Sequence, residues 1–436
     1  MVMELEEHLF RREAGRITAA LTRLFGMHNL AMAEDVVQDA FCRALEVWKF
    51  RGVPENPSAW LMATAKNRAL DMLRRERTAR TYAPELGRLL ESEWTLVPAI
   101  QEVFSATAIK DDELRMMFSC CHPRLAEESQ IALILHILCG FSVDEVAGAF
   151  VSGHAAMEKR ITRAKKVLAE SKRLFEIADE DDFSARLPAV QRALYLLFNE
   201  GYHGASTKSA VRTELCQEAI RLTKILLAHP QGATPATHAL AALMHLHAAR
   251  LPGRMDGAGN LSTFYEQDRA KWDAQLVAEG QRLLNLAASG PNLSEYHVEA
   301  GIAAIHATAP TAENTDWRTI VSFYDMLMNI RPSPVVALNR AIAVAEMEGP
   351  ESGLRELRAI EGRERLLSYP FYSAAFGELE LRRGRRKVAR EHFESALLLA
   401  RSPMERQFLQ KRVDACEAEE SVRPAGSNTS TKAEAH

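Results

Sequence analysis

The sequence predicts an all-α protein, in which two small helical domains are followed by a longer array of helices. Apolar residues recur at intervals of three and four along most of the 436 residues, and no long stretch alternates as a strand would. The hydrophobic content of 47% can supply large cores, and this length is typical of about two to four domains. The formal net charge of −4 means that any contact with nucleic acid must come from local basic patches.

The cysteines and the N-terminus indicate a soluble cytoplasmic protein. The six cysteines are sparse and lie mostly in apolar helical runs, which favours reduced thiols over a secreted disulfide framework. Residues 1–16 are charged and amphipathic, unlike a signal peptide. The longest apolar run, 131–139, is too short to span a membrane, so we expect no membrane contact.

Changes in composition along the chain predict five segments. The first is a helical domain over 1–80, followed by a linker over 81–110 that is less periodic and contains Pro84 and Pro98. A second helical domain is predicted over 111–175, and Ala- and Leu-rich helices follow over 185–416. The polar residues 417–436, with Pro, Gly, Ser and Thr, are expected to form a disordered tail.

A basic amphipathic helix is predicted in the stretch WLMATAKNRALDMLRRERTAR, residues 60–80. It carries six basic residues against two acidic ones, and its apolar side is formed by Leu61, Met62, Ala65, Ala69, Met72 and Leu73. Trp60 projects with the polar face, where an aromatic ring suits stacking on unpaired bases. Two other interpretations stay open: a solvated charged face, or a structural Trp60 that packs against Phe50 or Val53.

The preceding helix, AEDVVQDAFCRALEVW at 33–48, has the opposite charge. Its apolar stripe is formed by Val37, Phe41, Ala44 and Trp48, widened by Val36, Ala40 and Leu45. Glu34, Asp35, Gln38, Asp39 and Glu46 are left for the other faces. An acidic surface beside a basic one suits a protein that bridges a basic protein partner and DNA.

The stretch GFSVDEVAGAFVSGHAAMEKRITRAKKVLAE, residues 140–170, predicts a helix-turn-helix. Ser142 and Glu145 have the spacing of a capping box, so a short helix should run over 143–150. A turn at 151–153 should lead into a second helix over 154–170. The apolar stripe of that helix is Met157, Ile161, Ala164 and Leu168. Seven basic and two acidic residues between positions 153 and 173 give it a basic outer face, as major-groove docking requires, although an ordinary helical hairpin remains an alternative.

These two blocks, in this order, resemble the two domains of bacterial extracytoplasmic-function (ECF) sigma factors of RNA polymerase, over roughly residues 9–173. The resemblance implies that the 33–48 helix binds core polymerase through Glu34, Asp35, Gln38 and Asp39. It implies that the segment SAWLMATAKNRALDMLRR reads the −10 element through Trp60, Lys66, Asn67, Arg68, Asp71, Arg74 and Arg75. It implies that the helix-turn-helix reads the −35 element through Lys159, Arg160, Thr162, Arg163 and Lys166. The sequence departs from the usual pattern at Ser152, Gly153 and His154 in the turn and at Glu158 on the second helix. These departures could alter −35 preference.

Three further stretches resemble the ECF subgroup that has a long tetratricopeptide-like C-terminal extension. They are DELRMMFSCCHP at 112–123, ALYLLFNEGY at 193–202 and SPVVALNRAIAVAEMEGP at 333–350. Within the extension, residues 369–412 are expected to form a helix pair with a turn at 383–385. Tetratricopeptide spacing is matched in this pair by Gly377, Ala389, Phe393 and Ala396. The resemblance implies that the extension regulates activity, and a concave helical surface suits a regulatory protein or ligand.

The sequence predicts no enzymatic activity, no cofactor and no metal. Cys120, Cys121 and His122 invite a zinc site, but adjacent cysteines suit one tetrahedral ion poorly and no second pair has suitable spacing. The leading interpretation is a sigma factor whose partners are core RNA polymerase and promoter DNA. The alternatives are a one-component helix-turn-helix regulator with a helical sensor, and a helical scaffold protein.

Overall fold

The computed structural model describes residues 2–75, 106–150, 152–170, 180–203, 212–254, 262, 265–400 and 403–417. Within these ranges all regular structure is helical and no strand occurs, which confirms the all-α prediction at this level. The predicted linker lies outside the described residues except for 106–110, which begin a helix, and so does the predicted tail after Glu417.

The first block of helices is built around one apolar core. It consists of α1 (Val2–Phe25), a 3-10 turn (Met27–Asn29), α2 (Leu30–Arg51) and α3 (Pro57–Arg75). Ile17, Phe25, Trp48 and Leu61 are among the residues buried where these helices meet. The predicted stripes of α2 and α3 face this core, but Leu45 was wrongly assigned to it. Its side chain is 52% exposed, because position 45 lies at the edge of the stripe and turns towards solvent.

The second block covers the stretch that is predicted to form a helix-turn-helix, and that classification stays a prediction. Its helices are α4 (Ala106–Cys120), α5 (Glu127–Ile137), α6 (Val143–Ala149) and α7 (His154–Glu170). The capping box is present, since Glu145 N donates to Ser142 Oγ at 3.2 Å and Ser142 N donates to Glu145 Oε2 at 2.9 Å. The predicted stripe of α7, from Met157 to Leu168, is buried. Sequence periodicity therefore located both helices and their inner face.

Further helices occupy most of the rest of the chain. They are α8 (Glu180–His203), α9 (Thr213–Ala228), α10 (Pro235–Ala248), α11 (Ala274–Ala287), α12 (Glu295–Thr308), α13 (Trp317–Ile330), α14 (Pro334–Glu348), α15 (Pro350–Ala359), α16 (Pro370–Arg382), α17 (Arg386–Leu398) and α18 (Pro403–Glu417). No helix among the described residues combines the length and the apolar character that a membrane crossing needs.

The chain divides into two compact units. Unit 1 comprises Met1–Gly204, Val211–Ala248 and Arg282–Gly290, and unit 2 comprises Ala205–Ala210, Ala249–Gln281 and Pro291–His436. Unit 1 therefore holds both predicted sigma blocks together with α8–α10. The predicted domain limits at 175 and 185 do not coincide with this division, and they stay predictions about the sequence domains.

Helices α8 and α9 are packed onto the second block. The Phe183 ring of α8 stacks on the Phe118 ring of α4 with centroids 4.0 Å apart. Arg221 of α9 binds Glu113 of α4, with Nη2 2.6 Å from Oε1. Burial raises the pKa of Glu113 above its usual value despite the opposing effect of Arg221. The first helices after residue 180 thus share a core with the helix-turn-helix block.

Unit 2 is a series of helices that pack mainly on their neighbours in sequence. Its apolar residues form successive clusters, around Ile320, around Leu357 and around Phe393. The predicted pair α16 and α17 is present, with its turn at 383–385. A Cβ at Gly377 would lie 2.9 Å from the Phe393 ring, so this glycine allows the close helix contact. A tetratricopeptide-like classification of unit 2 stays a prediction.

Candidate functional site

The predicted polymerase-binding residues lie on the outer side of α2. Asp35, Gln38 and Asp39 are exposed, whereas Glu34 is half-buried. Asp39 Oδ2 lies 2.7 Å from Arg68 Nη2 on α3, and Glu34 Oε1 lies 2.7 Å from Lys165 Nζ on α7. Asp39 thus contacts a predicted −10 residue, and Glu34 contacts the helix that is predicted to read the −35 element.

The predicted −10 residues follow the polar side of α3. Asn67 and Asp71 are exposed, and Lys66 and Arg68 are half-buried. Arg74 and Arg75 lie on the last turn of α3, and their side chains are outside the described residues. Donors, acceptors and cations along one strip of a helix can contact both base edges and phosphates.

Trp60 has a structural partner other than the two considered from the sequence. Its ring meets the Trp48 ring edge-on with centroids 5.5 Å apart, and it packs against the first-block core. The proposed partners Phe50 and Val53 were wrong, since they are 84% and 41% exposed. Trp60 is half-buried, so part of the residue stays accessible to solvent.

The predicted −35 residues lie on the outer side of α7. Lys159, Thr162, Arg163 and Lys166 are exposed. Arg160 is different, because its Nη1 lies 3.0 Å from Glu128 Oε2 at the start of α5. The exposed cations leave a basic surface opposite the buried stripe, as a helix that docks in a major groove requires.

A charged cluster around Phe141 was not predicted from the sequence. Arg11 of α1 and Arg212, just before α9, lie over the Phe141 ring at 5.6 Å and 5.5 Å from its centroid. Both guanidinium groups contact Glu145 Oε1 at 2.9 Å. Burial acts to raise the pKa of Glu145, but Arg11, the Ser142 N–H and Arg212 outweigh it, so this pKa lies below its usual value. Only the capping role of Glu145 was visible in the sequence.

The cysteine pair considered as a metal site lies inside the second block. Cys120 and Cys121 are buried, and burial raises the pKa of both thiols. A buried thiol that stays protonated is a poor zinc ligand, since the thiolate is the form that binds metal. Among the described residues, no group of three or more His, Cys, Asp and Glu side chains is arranged to hold a metal ion.

Comparison with known proteins identifies the first block. The Sigma-70 region 2 family matches residues 9–79, which include α2, α3 and most of α1. RNA polymerase sigma factor CarQ of Myxococcus xanthus is 30% identical over 167 residues, covering 38% of this chain and 87% of CarQ. The chain belongs to the RNA polymerase sigma factor family.

Two further matches are to proteins without an assigned role. A family of unknown function, DUF6596, matches residues 186–288. An uncharacterized protein of Rhizobium meliloti (strain 1021), R00370, is 38% identical over 402 residues, covering 92% of this chain and 93% of that protein. No solved structure matches. Sigma factors are a non-enzymatic family, whereas the region from 186 to 288 is uncharacterised.

Proposed function

We propose that this sigma factor binds core RNA polymerase and directs transcription initiation by reading both the −10 and the −35 promoter elements. The observation that carries the proposal is the region 2 match over 9–79. The outer faces of the helices in that region carry exposed acids on α2 and a polar, basic strip on α3. The protein supplies contacts and promotes strand separation, while polymerase carries out the chemistry.

Binding to polymerase is assigned to α2. Asp35, Gln38 and Asp39 are exposed and lie off the apolar stripe, so they can meet a basic partner surface without disturbing the core. Complementary charge at such an interface chiefly provides specificity and a fast association rate. Glu34 belongs to the same set, but its carboxylate is engaged by Lys165 in this structure.

Recognition of the −10 element is assigned to α3. Asn67 and Asp71 offer polar groups for base edges, and Lys66, Arg68, Arg74 and Arg75 offer positive charge for the phosphates. Trp60 is half-buried near the start of the same helix, where an aromatic ring can stack on an unpaired base.

Recognition of the −35 element is assigned to α7. It is the second helix of the helix-turn-helix, and Lys159, Thr162, Arg163 and Lys166 are exposed on its outer side. Cations on this face would give a salt-dependent affinity for duplex DNA. Arg160 completes the predicted set, and it must exchange Glu128 for phosphate if it is to take part.

The C-terminal extension, 185–416, is proposed to regulate this activity as a helical, tetratricopeptide-like domain that takes a regulatory protein or ligand. The support is its succession of helices that pack on their sequence neighbours, which leaves long surfaces available for a partner. The predicted blocks over 1–80 and 111–175 are the proposed −10 and −35 domains.

Run-off transcription with purified core polymerase tests the proposal. The template is a pool with randomised −10 and −35 elements, because the promoter sequence is not known. We expect a product that depends on the protein and is lost in Asp39→Arg. Glu46→Arg makes the same charge change at an exposed position of α2 outside the predicted set, and it should retain the product.

The two variants separate the candidate functions. Equal transcription by Asp39→Arg and Glu46→Arg would contradict the assigned polymerase surface. Sequence-specific binding of duplex DNA, without polymerase binding or run-off product, would favour the one-component regulator instead.

A further inference from the structure

Asp144 and His154 join the two helices that are assigned to the −35 element. Asp144 is the second residue of α6, and His154 is the first residue of α7. His154 Nδ1 lies 2.5 Å from Asp144 Oδ1, so the contact spans the turn between the helices. The side chains of His154 and Asp144 are 54% and 77% exposed, which places their contact at the surface rather than in the core.

The turn between α6 and α7 is also held by other contacts. Ser152 N donates to Ala147 O at 2.9 Å, and Met157 N donates to Gly153 O at 3.1 Å. The inner face of α7 is fixed by its buried apolar stripe. Exposed ion pairs contribute little to stability. Stability alone therefore gives little reason for an acid and a histidine to meet at this surface.

The hydrogen bond to Asp144 determines which ring nitrogen of His154 carries a proton. An ionised carboxylate can only accept hydrogen bonds, so Nδ1 of His154 is the donor to Asp144. In the neutral ring Nε2 is then an acceptor, and it becomes a donor only when the ring is an imidazolium. His154 can therefore donate to an anion from Nε2 in its protonated state but not in its neutral state.

The charges around His154 favour the protonated state. The hydrogen bond with Asp144 and the charge of that carboxylate raise the pKa of His154 above its ordinary value, and Glu158, one turn along α7, acts in the same direction. The amino end of a helix disfavours a cation. An imidazolium at the first position of α7 therefore depends on its acidic partner on α6.

The Asp144–His154 pair lies where a docked helix-turn-helix meets the DNA backbone. The first helix of such a motif crosses the backbone, and the N-terminal residues of the second helix enter the major groove. A side chain that bridges the starts of both helices is therefore close to a phosphate strand. Exposed cations continue along α7 at Lys159, Arg163 and Lys166, so His154 extends the same basic surface when it is protonated.

We infer that His154 is a further promoter contact, which as an imidazolium donates a hydrogen bond from Nε2 to a backbone phosphate while Asp144 holds Nδ1. This inference rests on the proposed −35 role of α7. Loss of the proton removes the donor, and it also leaves the Asp144 carboxylate unbalanced beside the phosphates. Affinity for duplex DNA should therefore be high below the pKa of His154 and decrease as the pH rises through it.

The test measures binding of the full-length protein to a fluorescein-labelled duplex of random sequence by fluorescence anisotropy. Phosphate contacts carry no sequence information, so the promoter sequence is not needed. Lysine, arginine and carboxylate side chains ordinarily keep their charge between about pH 5.5 and about pH 8.5, whereas histidine titrates. The slope of log affinity against log salt should be steeper by about one unit at the acid end. Raising the salt from about 50 to about 200 mM should then lower the affinity about fourfold more at acid pH than at alkaline pH.

Two variants separate a phosphate contact from a structural role of the pair. His154→Ala removes the charge at every pH, so at acid pH it should bind as weakly as the wild type does at alkaline pH, with one constant salt slope. Asp144→Asn keeps the imidazole and removes the adjacent negative charge. It should bind more tightly than the wild type, and the midpoint of its pH dependence should move to lower pH.

The matched control is His28→Ala, the same substitution at an exposed histidine of the first block, and it should keep the wild-type pH dependence. Salt-dependent binding with the same slope at both pH values would overturn the His154 contact and leave the −35 role of α7 intact. Weaker binding by both His154→Ala and Asp144→Asn at every pH would overturn it too, since a pair that only holds the turn gives that result. Absence of duplex binding by every form would refute the −35 role itself, and the phosphate contact with it.

Discussion

Units 1 and 2 are both helical, but they are held together in different ways. In unit 1, ion pairs such as Arg11–Glu145 and Arg221–Glu113 join residues 134 and 108 positions apart. In unit 2, ion pairs such as Arg340–Glu356 and Arg331–Glu295 join neighbouring helices across 16 and 36 positions. Unit 1 is therefore a chain folded back on itself, whereas unit 2 is close to a one-dimensional array.

The difference indicates where a conformational change can occur. In a one-dimensional array each helix is stabilised mainly by its neighbours in sequence, so a disturbance unfolds only the nearby helices. In a folded-back unit, a few contacts between distant segments can be broken together while each segment keeps its own core. The region 2 core around Ile17 and Trp48 is such a core, and it lies within the first block alone.

The largest effects should come from truncating matched core phenylalanines in the two units. Phe118 is 2% exposed and Phe393 is 1% exposed. Phe118→Ala should destabilise unit 1 by about 3–5 kcal/mol, because it removes the ring that joins α4 to Phe183 of α8. Calorimetry should show the unit 1 transition shifted to lower temperature.

Phe393→Ala should reduce the stability of unit 2 by a similar amount, but the loss of structure should stay close to the substitution. Hydrogen exchange should show lost protection in α16–α18, whose shared cluster contains Phe393, and unchanged protection around Ile320. Loss of protection throughout unit 2 would contradict the description of that unit as a nearest-neighbour array.

An intermediate effect on stability is expected for Glu145→Gln. The Glu145 carboxylate binds both Arg11 of α1 and Arg212, which precedes α9. The substitution should cost about 1–3 kcal/mol at neutral pH, since it weakens charge-assisted hydrogen bonds to Arg11 and Arg212. The pKa of Glu145 is lowered in the folded protein. This stabilisation is thus present above the unfolded pKa, near 4.5, and is lost as the pH falls through the folded pKa.

Urea unfolding at neutral pH and at acid pH measures this dependence. The difference between wild type and Glu145→Gln should shrink as the pH decreases below about 4.5, because the wild-type carboxyl becomes neutral as well. A difference that stays constant over this range would show that the charge of Glu145 contributes nothing.

A smaller effect on stability but a clear effect on DNA binding is expected for Lys166→Ala. Lys166 is exposed on α7, whereas the adjacent Lys165 binds Glu34 of α2. Removing one phosphate contact should reduce the slope of log affinity against log salt by about one unit. The measurement is a salt titration of binding to a −35 duplex, and an unchanged slope would assign Lys166 to solvent.

The smallest effect should follow Arg390→Ala in unit 2. Arg390 and Glu394 are 44% and 48% exposed and one turn apart on α17. Exposed pairs of this kind contribute less than about 1 kcal/mol. A larger loss of stability in thermal unfolding would show that unit 2 also depends on its surface charges, and it would weaken the contrast with unit 1.

The sequence predicted single helices well and their partners poorly. The capping box at Ser142 and the buried stripe of α7 were predicted because they depend on local spacing and on amphipathic periodicity. The Glu34–Lys165 pair was not, since periodicity shows which face is buried but not what covers it. The same limit explains the wrong partners assigned to Trp60, whose ring meets Trp48 across the contact between α2 and α3 rather than Phe50 or Val53.

The most direct test of the whole account is the co-purification of core RNA polymerase with wild type, Asp39→Arg and Glu46→Arg. The account predicts that wild type and Glu46→Arg retain polymerase and that Asp39→Arg loses it, because Asp39 belongs to the assigned polymerase surface on α2 and Glu46 does not. Equal retention of polymerase by all three proteins would contradict it.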